Sequence, residues 1–329
     1  MVKLKPVLQI VFYYSVGLFY VSILGVLATI KTLITLGPRK TFFCQRRDRR
    51  PDVLDDPLLG EHKFARMKKG DQNKPLMLFV HGFPEFWYSW RHQMSEFSDT
   101  HRCVAVDMRG YNESDKPIGV ENYALDLMAA DIKELVEYLG HDKCTLVSHD
   151  WGGLVANCVA ETYPEIVQTL ITCNGPNGRA MMKVLHKSLA QFLKSWYVFA
   201  FQWPMFAEYL IRLGDLTAFD GNFTSNKEDV LAYKHAFRDY GDLEGPVNYY
   251  RALGRYMLPD APEKVHVRSL IIWGTADAAL DIQIPEATRE YFDDLTIEYV
   301  DGGSHWIQNE KPKEVNQLIR QFISAKKED

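Results

Sequence analysis

Asp150, Asp277 and His305 are the residues whose types and order could carry covalent catalysis. Asp150 stands in Val147-Ser148-His149-Asp150-Trp151-Gly152-Gly153. The apolar Thr145-Leu146-Val147 leads in as a short strand, and Leu154 to Ala160 continues at helical spacing. A strand that turns directly into a helix, with small residues two positions either side of one reactive side chain, is a nucleophile elbow. Here Ser148 and Gly152 are the small residues, because larger side chains would clash in so sharp a turn, and the tip carries Asp150. A carboxylate with an ordinary pKa of about 4 is ionised at pH 7 and needs no base to activate it. Asp277 follows the apolar run Leu270 to Trp273, and His305 follows Thr296 to Val300. The chain order is therefore nucleophile, acid, histidine, as in a strand-end triad. Asp281 is the alternative acid, although it stands where a local cap before Pro285 would stand.

These residues need strand ends to hold them. Leu76 to Val80, ending in His81-Gly82-Phe83-Pro84-Glu85, and Cys103 to Val106, ending in Asp107, read as buried strands. Tyr123 to Leu139 is apolar at helical spacing and stops at Gly140. Leu170 to Cys173 is a further strand, with Asn174 after it. Alternation then stops and resumes at Ser269 with a strand, a helix over 285–292, a strand over 296–300 and a last helix from Pro312. Strands alternating with helices predict an α/β fold: a mostly parallel sheet flanked by helices. The functional loops of such a sheet lie at the carboxyl ends of its strands. The stretch 177–256 is helical in character and dense in aromatic residues, so it reads as an inserted helical cap between core segments 51–176 and 257–329.

Composition narrows the function classes. Residues 1–50 hold nine Lys/Arg and one Asp, a net +8, so the remainder carries −13 of the total −5. An acidic body argues against nucleic acid as a partner. Cys44, Cys103, Cys144, Cys158 and Cys173 lack paired spacing and read as reduced core residues, neither disulfide framework nor metal site. Val7 to Ile30 is 24 residues without charge, long enough to span a bilayer with some tilt. The excess of Lys/Arg after it, from Lys31 to Arg50, marks the cytoplasmic side. Residues 1–50 thus read as a transmembrane helix with a basic linker, and the body as cytosolic. Asn112-Glu113-Ser114 and Asn222-Phe223-Thr224 match the glycosylation sequon and offer a check on that topology.

Over about 61–325 the chain resembles the epoxide hydrolases of the α/β-hydrolase fold, especially the membrane-anchored animal members. The matching stretches are His81 to Glu85, Asp107 to Tyr111, Ser148 to Gly153 and Gly303 to Trp306, with two in the cap around Tyr197 and Tyr250. The resemblance implies that Tyr197 and Tyr250 hold the epoxide oxygen, and that the membrane is that of the endoplasmic reticulum. It also explains the nucleophile. A serine attacking a saturated ring carbon would leave an ether, whereas Asp150 leaves an ester that a water activated by His305 can cleave. Neutral phenols can hydrogen-bond the departing alkoxide. The oxyanion of the second step is expected to meet the backbone N–H groups of Trp151 and Phe83. The partners are then a lipophilic epoxide, such as one of a fatty acid, and water, with no cofactor and no metal. A haloalkane dehalogenase is the nearest alternative, but Phe83 stands where that family commonly has a halide-binding Asn. A catalytically silent, membrane-anchored binding protein is the alternative from another class.

Overall fold

The computed structural model describes residues 23, 25–35, 61–62, 66–220, 226–256 and 260–325. Helix α1 covers 25–35. Apart from its last residues, the uncharged span over 7–30 lies outside the described residues, as do Cys44 and Asn222. Among the described residues no helix is long and apolar enough to cross a membrane.

One sheet organises the body. Its strands are β1 (Glu61–His62), β2 (Arg66–Lys69), β3 (Leu76–Val80), β4 (Arg102–Val106), β5 (Cys144–His149), β6 (Val167–Cys173), β7 (Ser269–Gly274) and β8 (Leu295–Val300). They lie in the order β1-β2-β4-β3-β5-β6-β7-β8. From β4 to β8 all neighbours are parallel; β1 and β2 add an antiparallel edge. β3 is buried at every residue, as expected for a central strand covered on both faces. The antiparallel edge was not legible in the sequence. β2 reads Arg-Met-Lys-Lys, without apolar alternation, and only pairing to β4 makes it a strand.

Register sets the site. Val80 pairs with Val106 on one side and Ser148 on the other, His149 with Cys173, and Gly274 with Val300. The carboxyl ends of β3 to β8 therefore finish along one edge, and the loops carrying His81, Asp107, Asp150, Asn174, Asp277 and His305 leave from it.

Helices α2 (Arg91–Phe97), α3 (Leu125–Tyr138), α4 (Trp151–Thr162), α11 (Gln283–Thr288), α12 (Ile307–Glu310) and α13 (Pro312–Ser324) flank the sheet, and α3 ends at Gly140 with φ 77°. Between β6 and β7 the described elements are all helical: α5 (Gly178–Lys187), α6 (Leu189–Lys194), α7 (Trp196–Ala200), α8 (Phe206–Leu216), α9 (Lys227–Ala236) and α10 (Glu244–Leu253), with short 3₁₀ turns. Their aromatic residues join the main core: Tyr249 meets Tyr111 edge-on at 5.4 Å and Tyr233 meets Phe86 at 5.3 Å. Cys103, Cys144, Cys158 and Cys173 are buried free thiols.

Candidate active site

The elbow stores strain. Asp150 has φ 48° and ψ −117°, a conformation that costs a non-glycine residue about 1–3 kcal/mol. Packing of α4 offsets it, since Leu154, Val155 and Val159 are all buried and each contributes about 1.5–3 kcal/mol. The neighbouring glycines are required by space. A Cβ on Gly152 would collide with the carbonyl oxygens of Val80 and His81, and one on Gly82 would stand 2.5 Å from Asp150 Cβ.

The two carboxylate oxygens of Asp150 have different surroundings. Oδ1 accepts a hydrogen bond from the Phe83 backbone N–H at 2.8 Å. Oδ2 lies 3.5 Å from His305 Nε2. The other ring nitrogen of His305, Nδ1, is 2.8 Å from Asp277 Oδ2. Asp277 is in turn held by Asn174 Nδ2 at 2.5 Å and by the N–H groups of Ala279 and Leu280 at 2.7 and 2.8 Å. Asp281 does not take its place: it accepts from the N–H of Gln283 and from the Ser188 hydroxyl, both at 2.9 Å. Trp151 opens α4, so the helix itself makes no use of its backbone N–H.

Above Asp150 is a largely apolar cavity. Tyr197 on α7 and Tyr250 on α10 line it together with Asp150 and Trp151, and Leu154, Met181, Val198, Leu253 and Leu280 supply apolar wall. The two tyrosine rings are 5.8 Å apart, and Tyr250 is wedged edge-on against Trp151 at 4.9 Å and Phe83 at 5.1 Å. The structure thus brings Asp150, Asp277, His305, Phe83, Trp151, Tyr197 and Tyr250 into one place, although they come from six separate places in the chain, on loops and helices.

Charge states follow from burial and pairing. Burial opposes ionisation of Asp277, but His305 and the surrounding donors outweigh it and hold its pKa down at about 2. Asp150 is likewise penalised by burial, and His305 and the Phe83 N–H pull it below its ordinary value. Burial works against protonation of His305, yet the Asp277 and Asp150 carboxylates raise it well above its usual range. Burial, reinforced by the Asp150 charge, pushes Tyr197 and Tyr250 upward, so both phenols stay neutral and able to donate.

A supporting layer went unassigned in the sequence. His149 Nδ1 is 2.7 Å from Glu85 Oε2, and its Nε2 donates to the backbone carbonyl of His305 at 2.9 Å. Glu85 also accepts from the Gly82 N–H at 2.9 Å and Gln308 Nε2 at 2.9 Å. His81 accepts at Nε2 from the Met108 N–H at 3.0 Å, and its Nδ1 donates to the Gly82 carbonyl at 2.8 Å. The signal available was a His and a Glu within the motif stretches, both too polar for the interior unless paired.

Residues 75–312 match the alpha/beta hydrolase fold family. Over 98% of its length the chain is 38% identical to Epoxide hydrolase 4 of Mus musculus, 96% of which is covered. It is 38% identical to Epoxide hydrolase 1 of Caenorhabditis elegans, over 95% of this chain and 80% of that one. A crystal structure of Bacillus megaterium epoxide hydrolase in complex with an inhibitor superposes with a TM-score of 0.74 at 35% identity, covering 79% of this chain and 96% of that one.

Proposed function

Since the chain belongs to the epoxide hydrolases of the alpha/beta hydrolase fold, we propose that it opens lipophilic epoxides to vicinal diols through an ester on Asp150. The observation that carries this reading is the unequal pair of Asp150 oxygens, Oδ1 on the Phe83 N–H and Oδ2 at 3.5 Å from His305 Nε2, on a residue that lines the cavity of Tyr197 and Tyr250. Oδ2 attacks a ring carbon as the carbon–oxygen bond breaks. Tyr197 and Tyr250 hydrogen-bond the developing alkoxide, and one of them gives it a proton. The attack also prepares the second step. Esterification removes the charge of Asp150, one of the two carboxylates that keep His305 protonated. His305 then releases its proton more readily, which restores the tyrosine, and becomes a base oriented by Asp277. It deprotonates a water that attacks the ester carbonyl. The oxyanion forms on Oδ1, at the Phe83 and Trp151 N–H groups. On collapse the bond from the carboxyl carbon to the original Oδ2 breaks. Oδ2 takes the proton that His305 drew from water and leaves in the diol, and the oxygen of water stays on Asp150, whose carboxyl proton returns to His305.

A single turnover in ¹⁸O-labelled water tests this. Label is expected in the Asp150 peptide, and unlabelled oxygen in the first diol. Label in the first diol would exclude the ester. Halide release from a haloalkane without diol formation would favour the dehalogenase reading, and no turnover of either would favour a binding protein. The uncharged run over 7–30 is proposed as a single-pass anchor in the endoplasmic reticulum, with the body in the cytosol. Asn112 spends its side-chain amide on Asp107 at 2.9 Å. A glycan on Asn112 or Asn222 in cells would place the body in the lumen instead.

A further inference from the structure

Exposed apolar side chains are unevenly distributed over this molecule. Among the described residues five large ones are exposed on 23–35, ten between α5 and Tyr256, and only five on all the rest, the sheet, its flanking helices and their loops. Scattered exposed leucines need no explanation, but a concentration of them marks a contact surface. Leu189 and Leu193 lie one turn apart on one face of α6, 71% and 60% exposed, and Trp196 follows at the start of α7. Trp203 and Met205, the latter 71% exposed, lead into α8.

Contacts connect this surface to α1 and to the cavity. A Cβ on Gly25 would stand 2.8 Å from the Phe206 ring, so α1 packs directly on α8 there, and Thr29 meets the Tyr209 hydroxyl at 3.3 Å. The Phe206 ring is 6.0 Å from the Trp203 ring. The Trp203 carbonyl accepts from Arg251 Nη2 at 3.1 Å, which ties it to α10, whose Leu253 lines the cavity and is itself exposed.

From this arrangement we infer that the α6–α8 face of the cap is seated in the surface of a lipid bilayer, so that the cavity over Asp150 opens toward the hydrocarbon. The inference rests on reading 7–30 as the anchor. The chain that leads into α1 is uncharged back to Val7, and the apolar run ends at Ile30. Gly25 is five residues before that end, roughly 7–8 Å inside the hydrocarbon at the rise of an α-helix. Phe206 touches α1 at that level. Interfacial surfaces sink to a similar depth, about 5–10 Å, so Trp203 and Met205 would reach the acyl boundary without the sheet leaving water. An epoxide dissolved in the membrane then enters without crossing the aqueous phase.

The test uses the full chain in vesicles of phosphatidylcholine brominated at acyl carbons 6 and 7. Flotation reports the anchor, and quenching of tryptophan fluorescence reports the cap. The variant W196F/W203F leaves five buried or half-buried tryptophans, and quenching is expected to fall roughly twofold or more if these two alone reach the acyl boundary. In a second arm, L189E/L193E should lower kcat/KM about tenfold for a long-chain epoxide in vesicles, because charged groups are held out of hydrocarbon, and leave turnover of water-soluble styrene oxide unchanged. If the chain does not float, the anchor reading fails and this inference with it. If it floats but wild type and W196F/W203F are quenched alike, the cap stands clear of the bilayer and the inference is overturned. An equal effect of L189E/L193E on both epoxides would also overturn it. Failure of wild type to hydrolyse either epoxide would count against the proposed reaction and leave the quenching result to decide the surface.

Discussion

His149 precedes Asp150 in sequence, yet its Nε2 donates to the backbone carbonyl of His305 at 2.9 Å, from the far end of the chain. Through Nδ1 it holds Glu85, which in turn holds the Gly82 N–H beside Phe83. One buried chain of polar groups therefore positions the N–H donor to Asp150 and the proposed base together. Glu85→Gln keeps the shape and removes the charged acceptor. Hydrogen bonds to charged groups contribute about 1.5–3 kcal/mol, so denaturant unfolding should find a stability loss of that order. The rate of ester hydrolysis should fall more than the rate of ester formation. Unchanged stability would mean that the pair is incidental.

His305→Gln keeps the size of the side chain and loses the base. General-base catalysis is worth about 10²–10⁴-fold, so steady-state turnover should drop by that factor while the first attack persists. Mass analysis of the Asp150 peptide should then find the substrate attached. Slow turnover without any adduct would move the role of His305 to the first step.

Tyr197→Phe and Tyr250→Phe each remove one proposed donor to the developing alkoxide. Loss of one preorganised donor costs about 10²–10³-fold in related sites, and this loss should appear in the rate of alkylation measured by stopped flow. The double variant should be slower still, and hydrolysis of a preformed ester should be spared. Intact alkylation in the double variant would remove both residues from the mechanism.

Acid stability should have two limbs. Burial lowers His81 from 6.5 to about 4. The unfolded chain binds this proton more readily than the folded one, so the His81 contribution is fully present above the unfolded pKa and is lost as pH falls from about 6.5 to 4, where His92, also lowered to about 4, adds to it and Asp107, raised by burial to about 7, opposes it. The contribution is at most about 3 kcal/mol. Asp277, held at about 2, gives a second loss between about pH 4 and 2 against an unfolded value near 3.9. Chemical denaturation across this range should find the upper limb flattened in His81→Asn and the lower limb in Asp277→Asn.

Gly82→Ala should damage both folding and chemistry, because its Cβ would press on Asp150 Cβ and sit 2.9 Å from the His149 carbonyl. Overpacking of this kind costs about 1–3 kcal/mol, and the ester-forming rate should fall with it. A variant of wild-type stability and rate would show that the elbow has slack.

Much of the fold was open to reading along the chain because its signals are local. A fully apolar five-residue strand such as Leu76 to Val80, a helix stopped by Gly140, and small residues around Asp150 each state their conformation within a few positions. The order of Asp150, Asp277 and His305 on three strand ends was equally legible, since strand ends are marked by where apolar runs stop. Choices between near-equals were not. Asp277 and Asp281 are four residues apart and chemically identical; the place of Asp281 before Pro285 favoured it as a local cap, and the placement of Asn174 and His305 on Asp277 separates them in space. Glu85 and His149 stand within motif stretches and Gln308 in none, but which of them meet could not be read, because the bonds that join them to one another and to His305 span 64 to 223 residues of sequence. Side-chain type and short spacing are properties of the chain itself. Which buried polar group meets which is decided by strand register across the sheet, and register exists only once the strands have paired.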